Sequence, residues 1–212
     1  NVRMVNSTFK DRKRKDFDSG KNTGRLVSKI AEYNSCGVRA FTLNLQGGFP
    51  GYEGAVNSAF RPDGSLRKNY LSRIKHIIEK CDKHGMVVIL DFYKRQDQIL
   101  RDEQAVKRGV VNAVNWVKEN GFTNVFIEIT NEYDHGGFEH DIIKTAEGEV
   151  ELIRLVKKTV PDLLVSTSGL GHGRMTGLVA KEADFILIHF NGGNWINSCF
   201  AGIKLVGFRT VL

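Results

Sequence analysis

An asparagine and a glutamate, Asn131 and Glu132, stand where an apolar, strand-like run ends in the sequence NVFIEITNEYD, residues 124–134. A carboxylate at the end of a buried strand is costly to place, and in proteins built from βα repeats the C-terminal strand ends carry the chemistry. A carboxyl group at such a place can transfer a proton or attack a substrate. The pattern predicts Glu132 as the leading catalytic residue; the alternative is an ordinary solvated side chain.

Polar side chains also gather near the C-terminal ends of two other apolar runs. Because alternate residues of a strand point to one face, Asn44 and Gln46 share a face of the predicted strand over 38–46. His189 and Asn191 share a face where the predicted strand over 184–190 ends. We expect these residues to line the pocket that contains Glu132.

A second glutamate, Glu128, lies four residues before Glu132 on the same predicted strand. At ~3.3 Å per residue the two carboxylates would be roughly 13 Å apart, which is too far for one proton relay. Glu128 is therefore interpreted as structural, with Arg3 or Arg39 as the partner that a buried carboxylate requires.

Metal and cofactor chemistry find little support in the sequence. His135 and His140 flank acidic residues, but their spacing matches no metal-ligand geometry. The three cysteines show no ligand spacing either. We predict neither a metal nor a cofactor.

Helix-type patterns end at a glycine and give way to β-branched runs at Gly37, Gly85 and Gly121. Glycine closes a helix in the left-handed conformation, so each junction predicts a helix, a turn and a strand. Apolar stripes predict helices around 66–81, 106–117 and 145–159. Predicted strands cover 2–9, 38–46, 86–93, 124–130, 163–168 and 184–190, and their continuous apolarity indicates a parallel sheet covered by helices.

Six successive βα units without a nucleotide-binding glycine pattern favour an α/β fold of the (β/α)8 TIM type over a doubly wound sheet. Such a barrel usually takes about 250 residues. The sequence therefore predicts one domain over residues 1–212, an incomplete barrel with about six of its eight units.

The composition is that of a globular domain, with 41% hydrophobic and 26% charged residues among 212. The net charge of +7 is scattered apart from a basic group at 10–15, which indicates a solvated surface and argues against a nucleic-acid partner. No apolar run approaches the ~20 residues of a membrane span. Oligomeric state and compartment are not indicated.

Four sequence motifs resemble a known enzyme group. They are AFTLNLQGG at 40–48, NSAFRPDGSLR at 57–67, the VVIL strand with QDQ at 87–98, and IEITNE at 127–132. With His189 after the sixth strand, the sequence resembles the clan A glycoside hydrolases, retaining (β/α)8 barrels that include family 5 cellulases and mannanases. A group of uncharacterised, largely bacterial glycoside-hydrolase-like proteins is more similar still, over about residues 2–192.

The resemblance implies a glycosidase that binds a carbohydrate substrate. Glu132 would be the general acid/base, and Asn131 would hydrogen-bond the sugar 2-hydroxyl. The predicted sugar contacts are His189, Asn44, Gln46, Asn57, Tyr93 and Asn191, of which Tyr93 could stack its ring on a sugar face.

The nucleophile of the retaining mechanism, by the same resemblance, follows a seventh strand in a segment like NED. Residues 192–212 contain no Glu or Asp, which predicts a chain truncated before that strand. Asp91 and Asp134 are the candidates to replace this nucleophile, but neither belongs to the family pattern. The alternatives to a hydrolase are a non-catalytic carbohydrate-binding barrel or an inactive incomplete one, and, less supported, a metal-dependent or phosphate-handling enzyme.

Overall fold

Parallel strands alternate with helices in the computed structural model, which describes residues 2–3, 18–46, 58–94, 97–169, 171 and 175–189. The strands are β1 (Val2–Arg3), β2 (Ala40–Asn44), β3 (Val87–Lys94), β4 (Val125–Asn131) and β5 (Val165–Ser166). The helices are α1 (Ser19–Ser35), α2 (Lys68–Asp82), α3 (Glu103–Glu119), α4 (Asp141–Lys144), α5 (Ala146–Thr159) and α6 (Gly177–Glu182). Neighbouring strands pair in chain order, and every pair is parallel.

The predicted strands are largely confirmed. Each of the first five predictions overlaps one of the strands β1 to β5; β1, β2 and β5 are shorter than predicted, and β3 and β4 are displaced by one residue towards the C-terminus. The sixth prediction, as far as residue 189 is described, forms an isolated parallel bridge from Leu187 to Ser168 instead of a regular strand. This bridge places the sixth segment directly after β5. A sheet in which every strand lies next to its predecessor has the order of a (β/α)8 barrel.

The helices pack their apolar stripes against this sheet, as their periodicity predicts. The buried stripe residues are Tyr70, Ile74, Ile77, Ile78 and Cys81 in α2, Val106, Val110, Val114 and Val117 in α3, and Val150, Ile153 and Val156 in α5. The side chains of Asp18, Asp102 and Thr145 cap the first turns of α1, α3 and α5 by accepting backbone N–H groups.

The three predicted glycine junctions are confirmed. Gly37, Gly85 and Gly121 have φ angles of 89°, 63° and 65° and follow α1, α2 and α3. Residues with a Cβ rarely adopt this conformation, so glycine marks the end of each helix.

A second apolar cluster lies on the sheet face opposite these helices. Ile89 on β3 packs with Phe185 and Leu187, and Phe126 on β4 completes the cluster with its ring centroid 5.6 Å from that of Phe185. Polar residues stand two positions further along the same strands. The apolar layer therefore forms a floor beneath the polar C-terminal strand ends.

Two glycines in helices allow a matched test of how closely α5 packs against α4. A Cβ on Gly148, in the first turn of α5, would lie 2.4 Å from the backbone oxygen of Ile142. A Cβ on Gly24, in α1, would meet nothing within 4 Å. We expect Gly148→Ala to lower the free energy of unfolding by roughly 1–3 kcal/mol through overpacking. We expect Gly24→Ala to raise it by about 0.5–1 kcal/mol because alanine is the better helix former.

Chemical denaturation of both variants beside the parent protein measures the two changes. A stabilised Gly148→Ala variant would contradict the close approach of α4 and α5 at this position.

Candidate active site

Glu132 directly follows β4 and adopts a left-handed backbone conformation, with a φ angle of 57°. A residue other than glycine rarely adopts this conformation, which costs of order 1–3 kcal/mol and persists only where neighbours hold it. The residue is only 8% exposed. Glu132 is thus a buried carboxyl group on a strained backbone, and the alternative of an ordinary solvated side chain is not what the structure shows.

Ser168, which follows β5, holds this conformation in place. Its Oγ accepts the backbone N–H of Glu132 at 3.0 Å, and its carbonyl oxygen accepts the N–H of Tyr133 at 2.9 Å. The N–H of Ser168 in turn donates to the carbonyl oxygen of Thr130 at 3.1 Å. The end of β4 is therefore attached on both sides of Glu132 to one residue of the neighbouring segment.

His189 lies between two carboxyl groups. Its Nδ1 is 3.3 Å from Oε1 of Glu132, and its Nε2 is 3.5 Å from Oε1 of Glu128. Ser168 Oγ donates to the same oxygen of Glu128 at 2.6 Å. Glu128, Glu132, His189 and Ser168 form one connected group, which we call the acid cluster.

The acid cluster corrects the expected separation of Glu128 and Glu132. A separation of roughly 13 Å would require an extended chain all the way to Glu132. The left-handed turn ends the extended run, so one imidazole contacts both carboxyl groups. Glu128 contacts Ser168 and His189, and the predicted partner Arg39 donates to backbone oxygens near its own position. The side chain of the other predicted partner, Arg3, lies outside the described part of the chain.

Asn44 and Asp91 form a polar pair beside the acid cluster. The side-chain amide of Asn44 donates to the carboxylate of Asp91, and both residues are buried. Asp91 is the register partner of Asn44 on one side and of Glu128 on the other. Asn44 thus lies at the level of Glu128, below the strand ends, and orients Asp91.

Gln46 is the second residue at a strand end with a left-handed backbone, at a φ angle of 59°. Its side chain is buried, and neither amide atom has a hydrogen-bond partner among the residues that the structure describes. An amide buried in this way costs about 1–3 kcal/mol relative to a paired one. A ligand with hydroxyl groups would relieve that cost, since the amide can both donate and accept.

The other predicted sugar contacts are placed differently. Tyr93 is fully buried, and its hydroxyl donates to the carbonyl oxygen of Val106 on α3 at 2.8 Å, so its ring belongs to the core instead of the pocket. Asn131 ends β4 next to Glu132, is buried, and pairs in register with Lys94. Asn57 and Asn191 lie outside the described residues.

Glu149, in the first turn of α5, is a further carboxyl group with no contact to solvent. Thr130 Oγ1 donates to its Oε1 at 2.6 Å. Burial raises the pKa of Glu149 to about 8; hydrogen bonds from Thr130 and Thr167 oppose this rise, and the charge of Glu128 adds to it. The group therefore carries its proton at neutral pH, behind the strand that holds Glu132.

Asp97 connects the loops that follow β3 and β4. Its two carboxylate oxygens accept the backbone N–H groups of Glu139 and His140 at 2.8 and 2.9 Å. Nε2 of His140 donates to the carbonyl oxygen of Leu100 at 2.9 Å. Residues 97–100 and 133–140, which we call the rim, are thereby joined to each other.

In the described part of the chain, no group of three or more His, Cys, Asp or Glu side chains has the arrangement of a metal site. Within the same residues, no helix has the length and apolarity needed to cross a bilayer.

Sequence reasoning missed Ser168, Glu149 and Asp97. Ser168 ends a predicted strand, which is the one signal that points to the site. Acidic residues are common in the first turn of a helix, so the sequence offers no reason to bury Glu149. Asp97 acts through backbone groups more than 40 residues away, and no local pattern marks such a contact.

One protein-family model matches most of the chain. It is described as Cellulase (glycosyl hydrolase family 5), and it matches residues 19–180. A search of curated proteins found no match.

Solved structures share the fold at low sequence identity. A family 5 glycoside hydrolase from Bacteroides vulgatus is 14% identical with a TM-score of 0.64, over 89% of this chain and 44% of that protein. A broad-specificity endoglucanase from Clostridium longisporum is 9% identical with a TM-score of 0.63, over 99% and 74%. A β-glucuronidase from Parabacteroides merdae is 12% identical with a TM-score of 0.56, over 89% and 21%. The chain spans less than half the length of two of these proteins, and the likeness supports the barrel fold.

Replacement of Glu149 by glutamine gives a pH-dependent prediction. The pKa of Glu149 is about 8 in the folded protein against an ordinary value of 4.5, so the folded state keeps a proton that the unfolded state releases. The free energy of unfolding therefore falls as pH rises from about 4.5 to about 8. Glu149→Gln should remove this part of the slope and be more stable than the parent protein above pH 8.

Denaturant titrations from pH 5 to pH 9 measure the slope. Glu147→Gln, the same substitution at an exposed position in the same helical turn, is the control and should keep it. A Glu149→Gln variant with the parent slope would show that Glu149 is ionised in the folded protein.

Proposed function

Because the chain belongs to glycosyl hydrolase family 5, we propose that it acts on O-glycosidic bonds of a glycan, with retention of configuration and with Glu132 as the general acid/base. The observation that carries the proposal is the placement of Glu132. It is a buried carboxyl group at the C-terminal end of a parallel strand, held by Ser168 and in contact with His189. Active sites of (β/α)8 barrels lie at this end of the strands.

In the proposed reaction, Glu132 donates its proton to the leaving glycosidic oxygen. A second carboxylate, about 5–5.5 Å away in retaining enzymes, attacks the anomeric carbon and forms a glycosyl-enzyme intermediate. Glu132, now ionised, then takes a proton from water, and the resulting hydroxide displaces the enzyme carboxylate. By the resemblance of the motifs, the second carboxylate follows a seventh strand, and we assign it to none of the described residues.

Substrate contacts in the proposal come from the residues around Glu132. Asn131 precedes it and is assigned to the sugar 2-hydroxyl. The unpaired amide of Gln46 supports a role in binding sugar hydroxyls, because a ligand would supply the hydrogen bonds that it lacks among the described residues. Asn44 lies deeper in the barrel, at the level of Glu128, where its amide orients Asp91. Tyr93 has no place in this set, since its hydroxyl is bonded inside the core.

The sugar and the linkage require a direct screen. The similar solved structures are an endoglucanase, a β-glucuronidase and a family 5 glycoside hydrolase, so their names span several β-linked substrates. A panel of β-linked oligosaccharides, including glucans, mannans and uronic acid conjugates, covers this range.

A second candidate function is carbohydrate binding without hydrolysis. The observation that favours it is the buried amide of Gln46, which has no hydrogen-bond partner among the described residues and suits sugar binding with or without hydrolysis. Binding to one member of the glycan panel, measured by calorimetry and without any product over a long incubation, would support this candidate over the hydrolase.

The acid/base assignment predicts the kinetic effect of Glu132→Gln. Without the proton donor, kcat/KM should fall by about 10²–10⁴-fold on natural oligosaccharides, whose leaving groups need protonation. Aryl glycosides with acidic phenols should lose less activity in the glycosylation step, because these phenols leave as anions without needing a proton. Hydrolysis rates across a series of aryl leaving groups measure this difference.

The control is Glu147→Gln, the same substitution at an exposed side chain on α5. It should keep the parent rates on all substrates. If Glu132→Gln lowered kcat/KM equally for substrates with good and with poor leaving groups, the role of Glu132 as the proton donor would be contradicted.

A further inference from the structure

We propose that Glu128 is a positioning residue that keeps His189 in the neutral tautomer with its proton on Nε2, so that Nδ1 accepts a hydrogen bond from the protonated carboxyl of Glu132. The geometry of the acid cluster places the proton of a neutral His189 on Nε2. The choice of the neutral state and its consequence for catalysis rest on the proposed function of Glu132.

The first step of the argument is the hydrogen bonding of Ser168. Its Oγ accepts the backbone N–H of Glu132 at 3.0 Å, so its own proton is free to be donated. The nearest acceptor is Oε1 of Glu128, at 2.6 Å. This oxygen therefore serves as an acceptor, the role of both oxygens in an ionised carboxylate.

The second step concerns the two nitrogens of His189. Nε2 lies 3.5 Å from the same Oε1 of Glu128, and an imidazole nitrogen next to a carboxylate is satisfied by donating its proton. In neutral imidazole only one nitrogen carries hydrogen, so Nδ1 then presents a lone pair. Nδ1 is 3.3 Å from Oε1 of Glu132.

The third step is the state of Glu132 that this lone pair selects. Between an unprotonated Nδ1 and a carboxyl oxygen, a hydrogen bond forms only if the carboxyl carries the proton. An imidazolium at His189 would instead favour ionised Glu132, which cannot donate a proton to a leaving group. The neutral Nε2–H tautomer is thus the arrangement that prepares Glu132 for the acid step.

Other ionisable groups surround the cluster. Asp91 on β3 is the register neighbour of Glu128 and accepts the amide of Asn44. Lys94 ends β3 beside Asn131, and Glu149 faces β4 from α5. On β5, the register partner of Glu128 is Ser166, which carries no charge. Glu149 is protonated at neutral pH because burial raises its pKa to about 8, so it adds no charge there.

The test is nuclear magnetic resonance of the protein grown with ¹⁵N-labelled histidine. Chemical shifts and two-bond couplings of the ring nitrogens distinguish the two neutral tautomers from imidazolium, and His189→Asn identifies the signals of this residue. At pH 7 we expect His189 of the parent protein to be neutral with its proton on Nε2. Imidazolium, or a proton on Nδ1, would overturn the proposal without the need for any variant.

Glu128→Gln tests the cause of the tautomer. The neutral amide is a weaker acceptor, so we expect signals of a second tautomer or of ring exchange at His189. Glu147→Gln, an exposed position, should leave the His189 signals as in the parent. An unchanged single tautomer in a folded Glu128→Gln variant would show that Glu128 does not set it.

Activity gives a separate readout. The alkaline limb of kcat/KM, which reports loss of the proton from Glu132, should move to lower pH by about one unit in Glu128→Gln, the size expected for losing one nearby charge. A limb that stays in place or moves to higher pH would count against the positioning role. A protein with the expected tautomer but no hydrolysis would refute the proposed function and leave the tautomer assignment standing.

Discussion

The hydroxyl group of Ser168 holds the strained backbone on which the whole site depends. Glu132 leaves the extended conformation at the end of β4, and the N–H groups of Glu132 and Tyr133 both bond to Ser168. The same hydroxyl donates to Glu128. A backbone strain of order 1–3 kcal/mol persists because several contacts over-determine it. The neighbouring segment thus decides where the carboxyl group of Glu132 points.

Three other carboxyl groups near this point are buried, and each avoids the cost of an isolated charge differently. Glu128 accepts a hydrogen bond from Ser168, and Asp91 accepts one from the amide of Asn44. Glu149 keeps its proton, since burial raises its pKa to about 8. Environments that push the pKa values of neighbouring groups apart are typical of active sites. Here the proton on Glu149 reduces the repulsion among several acids that share a small volume.

The sequence predicted features that depend on near neighbours in the chain. The glycine at Gly121, the apolar stripe of α3 and the place of Glu132 after a strand are all local signals, and all three are confirmed. Tyr93 was expected in the pocket as an aromatic ring near a strand end, where tertiary contacts decide the direction of a side chain. Ser168 bonds to Glu132 across 36 residues, and no periodicity reports such a distance.

The joined rim has a consequence for how any ligand would be received. Asp97 binds two consecutive N–H groups of the loop after β4, so the order of that loop is established during folding and not on encounter. A surface that is already rigid loses little conformational entropy when it is occupied, which favours tight and geometrically selective recognition. The same coupling means that lengthening either loop would displace both. New specificity in this scaffold would arise more readily from exchanged side chains than from inserted residues.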